Sequence, residues 1–346
     1  MALVSFVVAV VLVGLGLIVL AATTADDRVD ARRSPVQDGS AIATLPPTST
    51  AGTVAVVPAA PGSILAVTAT GLLVTLDPAS GAVASTLDDR FPDGANPRGR
   101  TAPQIASIDR ATDGSAWYSV DHFGDGGRCT GVMWHVPASG GAPQEVGDGD
   151  LPALSPRGDT LAYIDSCHDH ALVVRDLDTG KERAIAAGGG WRAYEDIYRV
   201  SWSEDGGEVI LSAAKADAPS EVFVVDIAAT TLARRRRLGP LAATPEGTGW
   251  RDATPRSIDD TVLVIEACCI GARDAIDNGG RLIAVDLATG GQRGSADFGF
   301  EIGRVAADAS GAHLLIGDGS GNLYRRSDGA PRRLERAPRG LRAFDW

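Results

Sequence analysis

From residue 53 onward, short apolar runs alternate with turns rich in Gly and Asp. This pattern predicts short β-strands joined by tight turns, and after residue 25 no segment of useful length has a helical period. One strand–turn–strand pattern recurs six times, clearly at 72–86, 173–185, 222–236 and 282–295 and more weakly at 133–146 and 322–335.

Each copy of this pattern is preceded by a second strand–turn–strand motif, as in 153–165 and 200–212. Every unit therefore has four strands, which we call A to D in chain order, within roughly 36 to 56 residues. Repeats of this size with four strands are typical of β-propeller blades, which bury their apolar faces only by stacking into a ring. The sequence predicts an all-β propeller of six four-stranded blades, with seven blades as the alternative.

Two turn motifs, SPRGD at 155–159 and SEDGG at 203–207, each stand between two apolar strands. In this they resemble the signature of the TolB-like, WD40-like (PD40) six-bladed propellers, and the resemblance covers nearly all of 53–346. It implies a scaffold for protein or small-ligand contacts. In TolB a separate amino-terminal domain carries much of the partner binding. This chain has an apolar segment and a stalk there, so that role is not expected to transfer.

Two segments, one at each end of the repeat region, are candidates for the A strand of the first blade. Residues 341–346, LRAFDW, match an A strand without a blade of its own, so they are predicted to latch the ring onto the first blade. Residues 53–58 also resemble an A strand. The sequence leaves open which of the two occupies the first blade.

The amino-terminal segment 2–22 contains 21 residues without a charge. As a helix it would be about 31 Å long, enough for a hydrocarbon core of about 30 Å. A cleavable signal peptide has a basic start and a shorter apolar stretch. We therefore predict a transmembrane signal anchor in residues 1–22, a flexible Ala/Thr/Ser/Pro stalk in 23–52 and the propeller in 53–346.

The orientation of the predicted anchor depends on conflicting signals. Arg28, Arg32 and Arg33 follow the apolar segment, and by the positive-inside rule they favour a cytoplasmic carboxyl side. A large folded domain after one amino-terminal span usually crosses the membrane, and the cysteines described below suit an oxidising compartment. We expect a single-pass membrane protein whose propeller lies outside the cytoplasm.

Net charge and missing motifs narrow the function. The formal charge is −12 and the pI is about 4.9, which disfavours non-specific binding to nucleic acid. No G-x-S-x-G elbow and no Walker or Rossmann fingerprint occurs. The expectation is a membrane-anchored, non-enzymatic propeller without cofactor or metal, which binds a protein partner or a cell-envelope ligand.

Long, irregular loops are predicted on one face of the ring, where strands B and C and strands D and A are joined. Long loops on a rigid scaffold commonly carry function. We call this the long-loop face and the opposite one the short-turn face. The predicted binding residues lie in or beside these loops, although packing against the ring would also explain the aromatic ones: Trp191, Arg192, Tyr194, Tyr198, Trp250, Arg251, Arg256 and Arg273.

The four cysteines fall in equivalent B–C loops. Cys129 and Cys167 belong to neighbouring blades and are predicted to form a disulfide, whereas Cys268 and Cys269 could pair with each other or stay reduced. The alternative for Cys129 and Cys167 is a zinc site completed by histidines of the second loop. An enzyme with acid/base residues in the central funnel is the alternative function, with these weak catalytic candidates: His122, Asp125, His168, Asp169 and His170.

The anchor prediction has a direct test. The full-length protein should sediment with membranes, and a variant lacking residues 2–22 should be released into the soluble fraction, since the rest of the chain has no comparable apolar segment. Edman sequencing of the mature protein is the control. A mature amino terminus near residue 22 would identify a cleaved signal peptide instead.

Overall fold

The computed structural model describes residues 62–91, 103–121, 131–165, 171–185, 196–214, 220–228, 236–239, 249–256, 260–267, 280–327 and 329–346. Every helix or strand assigned in this part of the chain is a β-strand, and the 24 strands form six four-stranded antiparallel sheets. The prediction of an all-β protein with six four-stranded blades is confirmed.

The first three blades contain strands β1 to β11 and the closing strand β24. Blade 1 consists of β24 (Ala343–Asp345), β1 (Ile64–Val67), β2 (Leu73–Leu76) and β3 (Val83–Asp88). Blade 2 consists of β4 (Gln104–Arg110), β5 (Ala116–Asp121), β6 (Gly131–Val136) and β7 (Gln144–Asp148). Blade 3 consists of β8 (Asp150–Leu154), β9 (Thr160–Asp165), β10 (Ala171–Asp176) and β11 (Glu182–Ile185).

The other three blades contain the remaining strands in chain order. Blade 4 consists of β12 (Asp196–Trp202), β13 (Glu208–Ala214), β14 (Glu221–Asp226) and β15 (Arg236–Gly239). Blade 5 consists of β16 (Gly249–Arg256), β17 (Thr261–Ala267), β18 (Arg281–Asp286) and β19 (Gln292–Asp297). Blade 6 consists of β20 (Ile302–Ala307), β21 (Leu314–Asp318), β22 (Leu323–Arg326) and β23 (Arg332–Arg333).

The inner strands meet around a central channel, in the order β24, β4, β8, β12, β16, β20 and back to β24. Among the described residues, the buried apolar side chains form six clusters, and each cluster joins two neighbouring blades. Strand β1 illustrates how one strand contributes to two clusters. Leu65 and Val67 pack toward blade 2, whereas Ile64 and Ala66 pack toward blade 6. Because both faces are buried, the strand is a continuous apolar run without polar alternation.

The ring is closed by the carboxyl-terminal strand. β24 pairs antiparallel with β1, with Phe344 opposite Ala66, and it occupies the innermost position of blade 1. The predicted latch is therefore confirmed, and residues 53–58 lie outside the described residues. Phe344 also packs tightly on blade 6, since a Cβ added at Gly317 would lie 2.5 Å from its ring.

The short turns between strands C and D repeat one structure. In blades 1, 3 and 5 an Asp carboxylate accepts hydrogen bonds from the backbone N–H and the hydroxyl of a Ser or Thr three residues later. In blade 5, the hydrogen bonds from Thr289 to Asp286, together with Arg293, lower the pKa of Asp286 to about 2. The recurring Asp in this motif is explained by turn formation.

Two predicted segments, the anchor 1–22 and the stalk 23–52, lie outside the described residues. Among the residues that are described, no helix is long and apolar enough to span a bilayer.

The closing strand should contribute strongly to stability. Replacing Phe344, which is 3% exposed, by Ala should lower the free energy of unfolding by about 3–5 kcal/mol through the cavity it leaves. Val83→Ala is the control, because Val83 on β3 is 49% exposed and its change should stay within about 0.5 kcal/mol. Urea denaturation measures both, and equal effects would contradict the closure seen here.

Candidate functional site

A cavity of about 560 Å³ lies at the short-turn face, where the inner strands of the blades end. Its wall combines the last residues of these strands with the turns that follow them, and its charged and aromatic members are Asp109, Arg110, Asp113, Arg199, Trp202, Glu204, Asp308, Asp345 and Trp346. The volume is within the usual range for small-ligand sites. This is the face opposite to the one that loop length favours.

Hydrogen bonds between blades hold the wall of this cavity in place. Inner strands of different blades are not joined by a backbone ladder, so side chains connect them. The bonds run from Leu154 N to Asp109 Oδ2 (2.8 Å), Arg110 N to Asp345 Oδ2 (2.8 Å), Trp202 Nε1 to Ala153 O (2.8 Å), Ser201 Oγ to Ala253 O (3.1 Å) and Thr254 Oγ1 to Val305 O (2.9 Å).

Arg199 crosses the channel from blade 4 to blades 6 and 1. Its Nη1 donates to Val305 O at 2.9 Å, and its Nη2 donates to Asp345 Oδ1 at 3.2 Å. The two charged side chains are only 10% and 11% exposed. A buried pair of this kind is held by its geometry and its extra hydrogen bonds, since desolvation opposes it. Removing one partner would leave the other charge buried.

Asp109 is the most unusual ionisable group in the cavity. Burial, and next the negative charge of Asp345, raise the pKa of Asp109 to about 7. The hydrogen bond from Leu154 N and the charges of Arg199 and Arg304 act in the opposite direction and are outweighed. Near neutral pH this carboxyl is therefore poised between its two protonation states, a property common at functional sites.

Negative groups outnumber positive groups in the cavity wall. Five carboxyl groups line it against two guanidinium groups, those of Arg110 and Arg199. Arg199 is paired with Asp345, and Arg110 Nη2 donates to Ser63 Oγ at 3.1 Å. The indole rings of Trp202 and Trp346 add apolar surface to the same wall. The site therefore offers an acidic, partly aromatic surface to a ligand.

Comparisons with known proteins agree with this architecture. No protein-family model matches the chain, and no curated protein matches it either. The crystal structure of TolB from Acinetobacter baumannii is similar, with a TM-score of 0.58 and 14% identity over 82% of this chain and 65% of that one. The chain thus spans somewhat less than two thirds of the length of that TolB.

Two further solved structures match with lower scores. A TolB from Agrobacterium tumefaciens has a TM-score of 0.45 and 18% identity over 68% of this chain and 78% of that one. Hydrazine synthase from Kuenenia stuttgartiensis has a TM-score of 0.48 and 16% identity over 74% and 70%. The fold is that of a TolB-like six-bladed β-propeller. At these identities the likeness concerns the fold alone.

Half of the predicted binding residues fall where the propeller is not described. Trp191, Arg192, Tyr194 and Arg273 lie outside the described residues. The backbone of Tyr198 belongs to β12, and the backbone of Trp250, Arg251 and Arg256 belongs to β16. These are inner strands of neighbouring blades, whereas the sequence predicted loops at these positions. Arg256 is the last residue of β16 and therefore lies at the short-turn end of that strand, not at the long-loop face. The side chains of all four residues are outside the description.

The predicted cysteine and acid/base residues also fall outside the description. They are Cys129, Cys167, Cys268, Cys269, His122, Asp125, His168, Asp169 and His170. The disulfide 129–167, the vicinal pair and the zinc alternative stay predictions. The strands that flank these loops lie in blades 2, 3 and 5, where the repeat pattern places them.

Two adjacent carboxyl groups, those of Asp121 and Asp150, lie beside one of these predicted loops. Burial, and next the negative charge of Asp150, raise the pKa of Asp121 to about 7, and the two side chains are hydrogen-bonded. Asp121 ends β5 and is followed directly by the predicted candidate His122. Burial disfavours the ionised form of Asp121, and the adjacent carboxyl group of Asp150 adds to the shift.

At the start of the predicted loop 88–100, Arg90 contacts blades 1 and 2. Arg90 donates from Nε and Nη2 to the two carboxylate oxygens of Asp88, at 2.9 and 2.8 Å. Its guanidinium carbon lies 4.2 Å from the ring centroid of Trp134 on blade 2. An arginine and an aromatic ring here attach the loop to the blades.

The charged channel residues Asp109, Arg199, Arg304 and Asp345 are absent from the site predicted from the sequence. Each is a charged residue on an A strand that consists mostly of apolar or small residues, most clearly in IGRVAA. That contrast is a signal available in the sequence. Loop length, the signal behind the predicted site, points to the other face.

The raised pKa of Asp109 predicts a pH dependence of stability. The unfolded chain loses this proton near pH 4, while the folded propeller keeps it until about pH 7. Stability from this group is therefore present at low pH and falls as pH rises from about 4 to about 7. Asp109→Asn should flatten this part of the curve, measured by urea denaturation at several pH values.

Two comparisons make that measurement specific. Asp113→Asn changes an exposed carboxyl of the same cavity and should leave the slope as it is in the parent protein. Asp121→Asn should remove a separate contribution, because its pKa is raised to a similar value. An unchanged slope in Asp109→Asn would refute the assignment.

Proposed function

We propose that this chain is a non-enzymatic binding propeller, held at a membrane by residues 2–22, that binds a protein partner or a cell-envelope ligand at its central channel. The observation that carries the proposal is the 560 Å³ cavity, whose wall is built from the ends of the inner strands. Sites on strand ends are rigid, because the hydrogen bonds between blades fix their geometry.

The charged groups and indole rings of the cavity wall indicate which kind of ligand it would bind. Carboxyl groups outnumber guanidinium groups in the wall. Arg199 is paired with Asp345, and Arg110 donates from Nη2 to Ser63 Oγ, while its buried Nη1 has no hydrogen-bond partner among the described residues. A cationic group such as an ammonium or guanidinium would meet complementary charge, and the two indole rings suit its apolar parts or a cation–π contact. We infer that a positively charged segment of the partner enters this cavity.

The long-loop face stays a second candidate for the binding surface. The observation that favours it is the length of its loops in the sequence, together with Tyr198, Trp250 and Arg251 near the starts of two adjacent inner strands. The two faces make different predictions for single substitutions, so one experiment can distinguish them.

An enzyme is the second candidate function. The pKa of Asp109, about 7, suits a general acid or base, and this residue lines a ligand-sized cavity. However, its carboxylate accepts a hydrogen bond from Leu154 N, and its neighbour Asp345 is engaged in closing the ring. A structural role explains these contacts without a reaction, so binding is the preferred function.

The binding proposal predicts a charge-dependent complex at one face. Fluorescence anisotropy with a labelled Lys/Arg hexapeptide should show binding, and a matched Glu hexapeptide should show none. Glu204→Gln should weaken the complex several-fold, because Glu204 lines the cavity and the exchange removes its negative charge. Glu145→Gln is the control, since it makes the same charge change on the outer strand β7.

Equal effects of these two substitutions would show that only net charge matters and would refute the cavity as the site. A loss of binding in Trp250→Ala, with Glu204→Gln unchanged, would assign the site to the long-loop face instead.

A further inference from the structure

Arginine is concentrated in the last part of the chain. Between residues 325 and 342 there are seven arginines and only two acidic residues, a local charge of +5 in a chain whose net charge is −12. Five of these arginines are exposed: Arg332, Arg333, Arg336, Arg339 and Arg342. We call these five residues the arginine seam.

The backbone under the seam is fixed to two blades. Arg332 and Arg333 form the outermost strand of blade 6, β23, and the chain then passes to the inner strand of blade 1. On the way, Arg336 N donates to Ser80 O at 3.3 Å and Arg342 N donates to Val67 O at 3.0 Å, both in blade 1. The seam therefore follows the junction between blades 6 and 1.

Apolar residues attach this segment to blades 6 and 1, whereas its arginines are exposed to solvent. Leu334 and Leu341 are 6% and 8% exposed, and both pack in the cluster between blades 6 and 1. The arginines between and beside them are exposed. Consequently the seam presents guanidinium groups on a rigid support, which reduces the conformational entropy lost when a ligand binds.

Arg342 is held by blade 2, since its Nη1 donates to Gln104 Oε1 at 3.2 Å, whereas the charges of Arg332, Arg333, Arg336 and Arg339 are only weakly compensated. Arg333 Nη2 donates to the neutral Asn322 Oδ1 at 2.7 Å, and its Nε lies 4.0 Å from Glu335 Oε2, a carboxylate that is 78% exposed. Within the described residues, the side chains of Arg332 and Arg339 make no hydrogen bond or ion pair. Arg336 lies near enough to Asp77 to affect its pKa, but Asp77 is fully exposed. Exposed pairs of this kind are screened by salt and worth little.

Protection of a sheet edge explains only part of the seam. Charged residues on an edge strand discourage pairing with other chains, which accounts for Arg332 and Arg333 on β23. Arg336, Arg339 and Arg342 lie beyond that strand, so edge protection does not require them. Blade strands lie about 4.8 Å apart, so the seam extends over roughly 15 Å, from the outer strand of blade 6 to the inner strand of blade 1.

We propose that the arginine seam docks this edge of the propeller on the anionic phospholipid headgroups of the membrane. Guanidinium groups bind phosphate with paired hydrogen bonds, and a basic patch is attracted to a surface of anionic headgroups. The proposal rests on the proposed anchor and on the predicted stalk 23–52, which would keep the propeller within reach of the bilayer.

Arginine-selective labelling tests this proposal on the full-length protein. The protein is placed in nanodiscs of phosphatidylcholine alone or mixed with phosphatidylglycerol, and phenylglyoxal modification of each arginine is followed by mass spectrometry. Arg332, Arg336 and Arg339 should react several-fold more slowly in the anionic discs, and high salt should remove the difference. Arg157, an exposed residue of blade 3, is the internal control and should not change.

Three outcomes would overturn the assignment. Equal rates in both kinds of disc would show that the seam does not contact lipid. Equal protection of Arg157 would show a general charge effect. Protection by heparin, without protection by phosphatidylglycerol, would assign the seam to a soluble polyanion. The double variant Arg336→Gln/Arg339→Gln should also weaken the protection of Arg332.

A wrong anchor prediction can be distinguished from a wrong docking surface. In that case the protein does not enter the discs, and the same labelling is done with phosphatidylglycerol vesicles added to the soluble protein. Protection of the seam by these vesicles would support the docking surface without the anchor, and its absence would refute the surface.

Discussion

Closure of the ring by a strand from the far end of the chain is the constraint on which the rest of the structure depends. β24 lies against β1 although the two strands are separated by nearly the whole propeller sequence, and it supplies the innermost strand of blade 1. Each hydrophobic cluster joins two blades, so an open ring would expose the apolar faces of both blades at the gap. The three residues of β24 thus complete two interfaces at once.

The charged residues in the channel follow from the same constraint. The inner edges of the A strands cannot form a ladder with one another, so their polar groups need partners from other blades. Asp345 accepts from Arg110 N and from Arg199, and it thereby attaches the closing strand to blades 2 and 4. The carboxylate is costly to bury. That cost is offset because one side chain connects three blades.

The repeat pattern was sufficient to predict much of this architecture. The C–D hairpins could be predicted because strand C is mostly apolar and because the turns of blades 1, 3 and 5 use Asp, Ser or Thr, and Gly in the same order. LRAFDW could be predicted as an A strand because it matches the A strand YRVSWS at 198–203. Contacts such as Arg199 with Asp345 could not be predicted, since they join residues 146 positions apart and form only after closure. The loop predictions concern residues outside the described part of the chain.

If a cation binds as proposed, closure of the ring and ligand binding are linked through Asp109. This carboxyl group lines the cavity, and the negative charge of Asp345 raises its pKa. Asp345 is the residue that attaches the closing strand to blade 2. A cation entering the cavity would favour the ionised form of Asp109 and would lower its pKa, so binding near neutral pH would release a proton. The same cation would weaken the repulsion between Asp109 and Asp345. A ligand of this charge would therefore bind best where the ring is closed, and it would stabilise the closed ring in return.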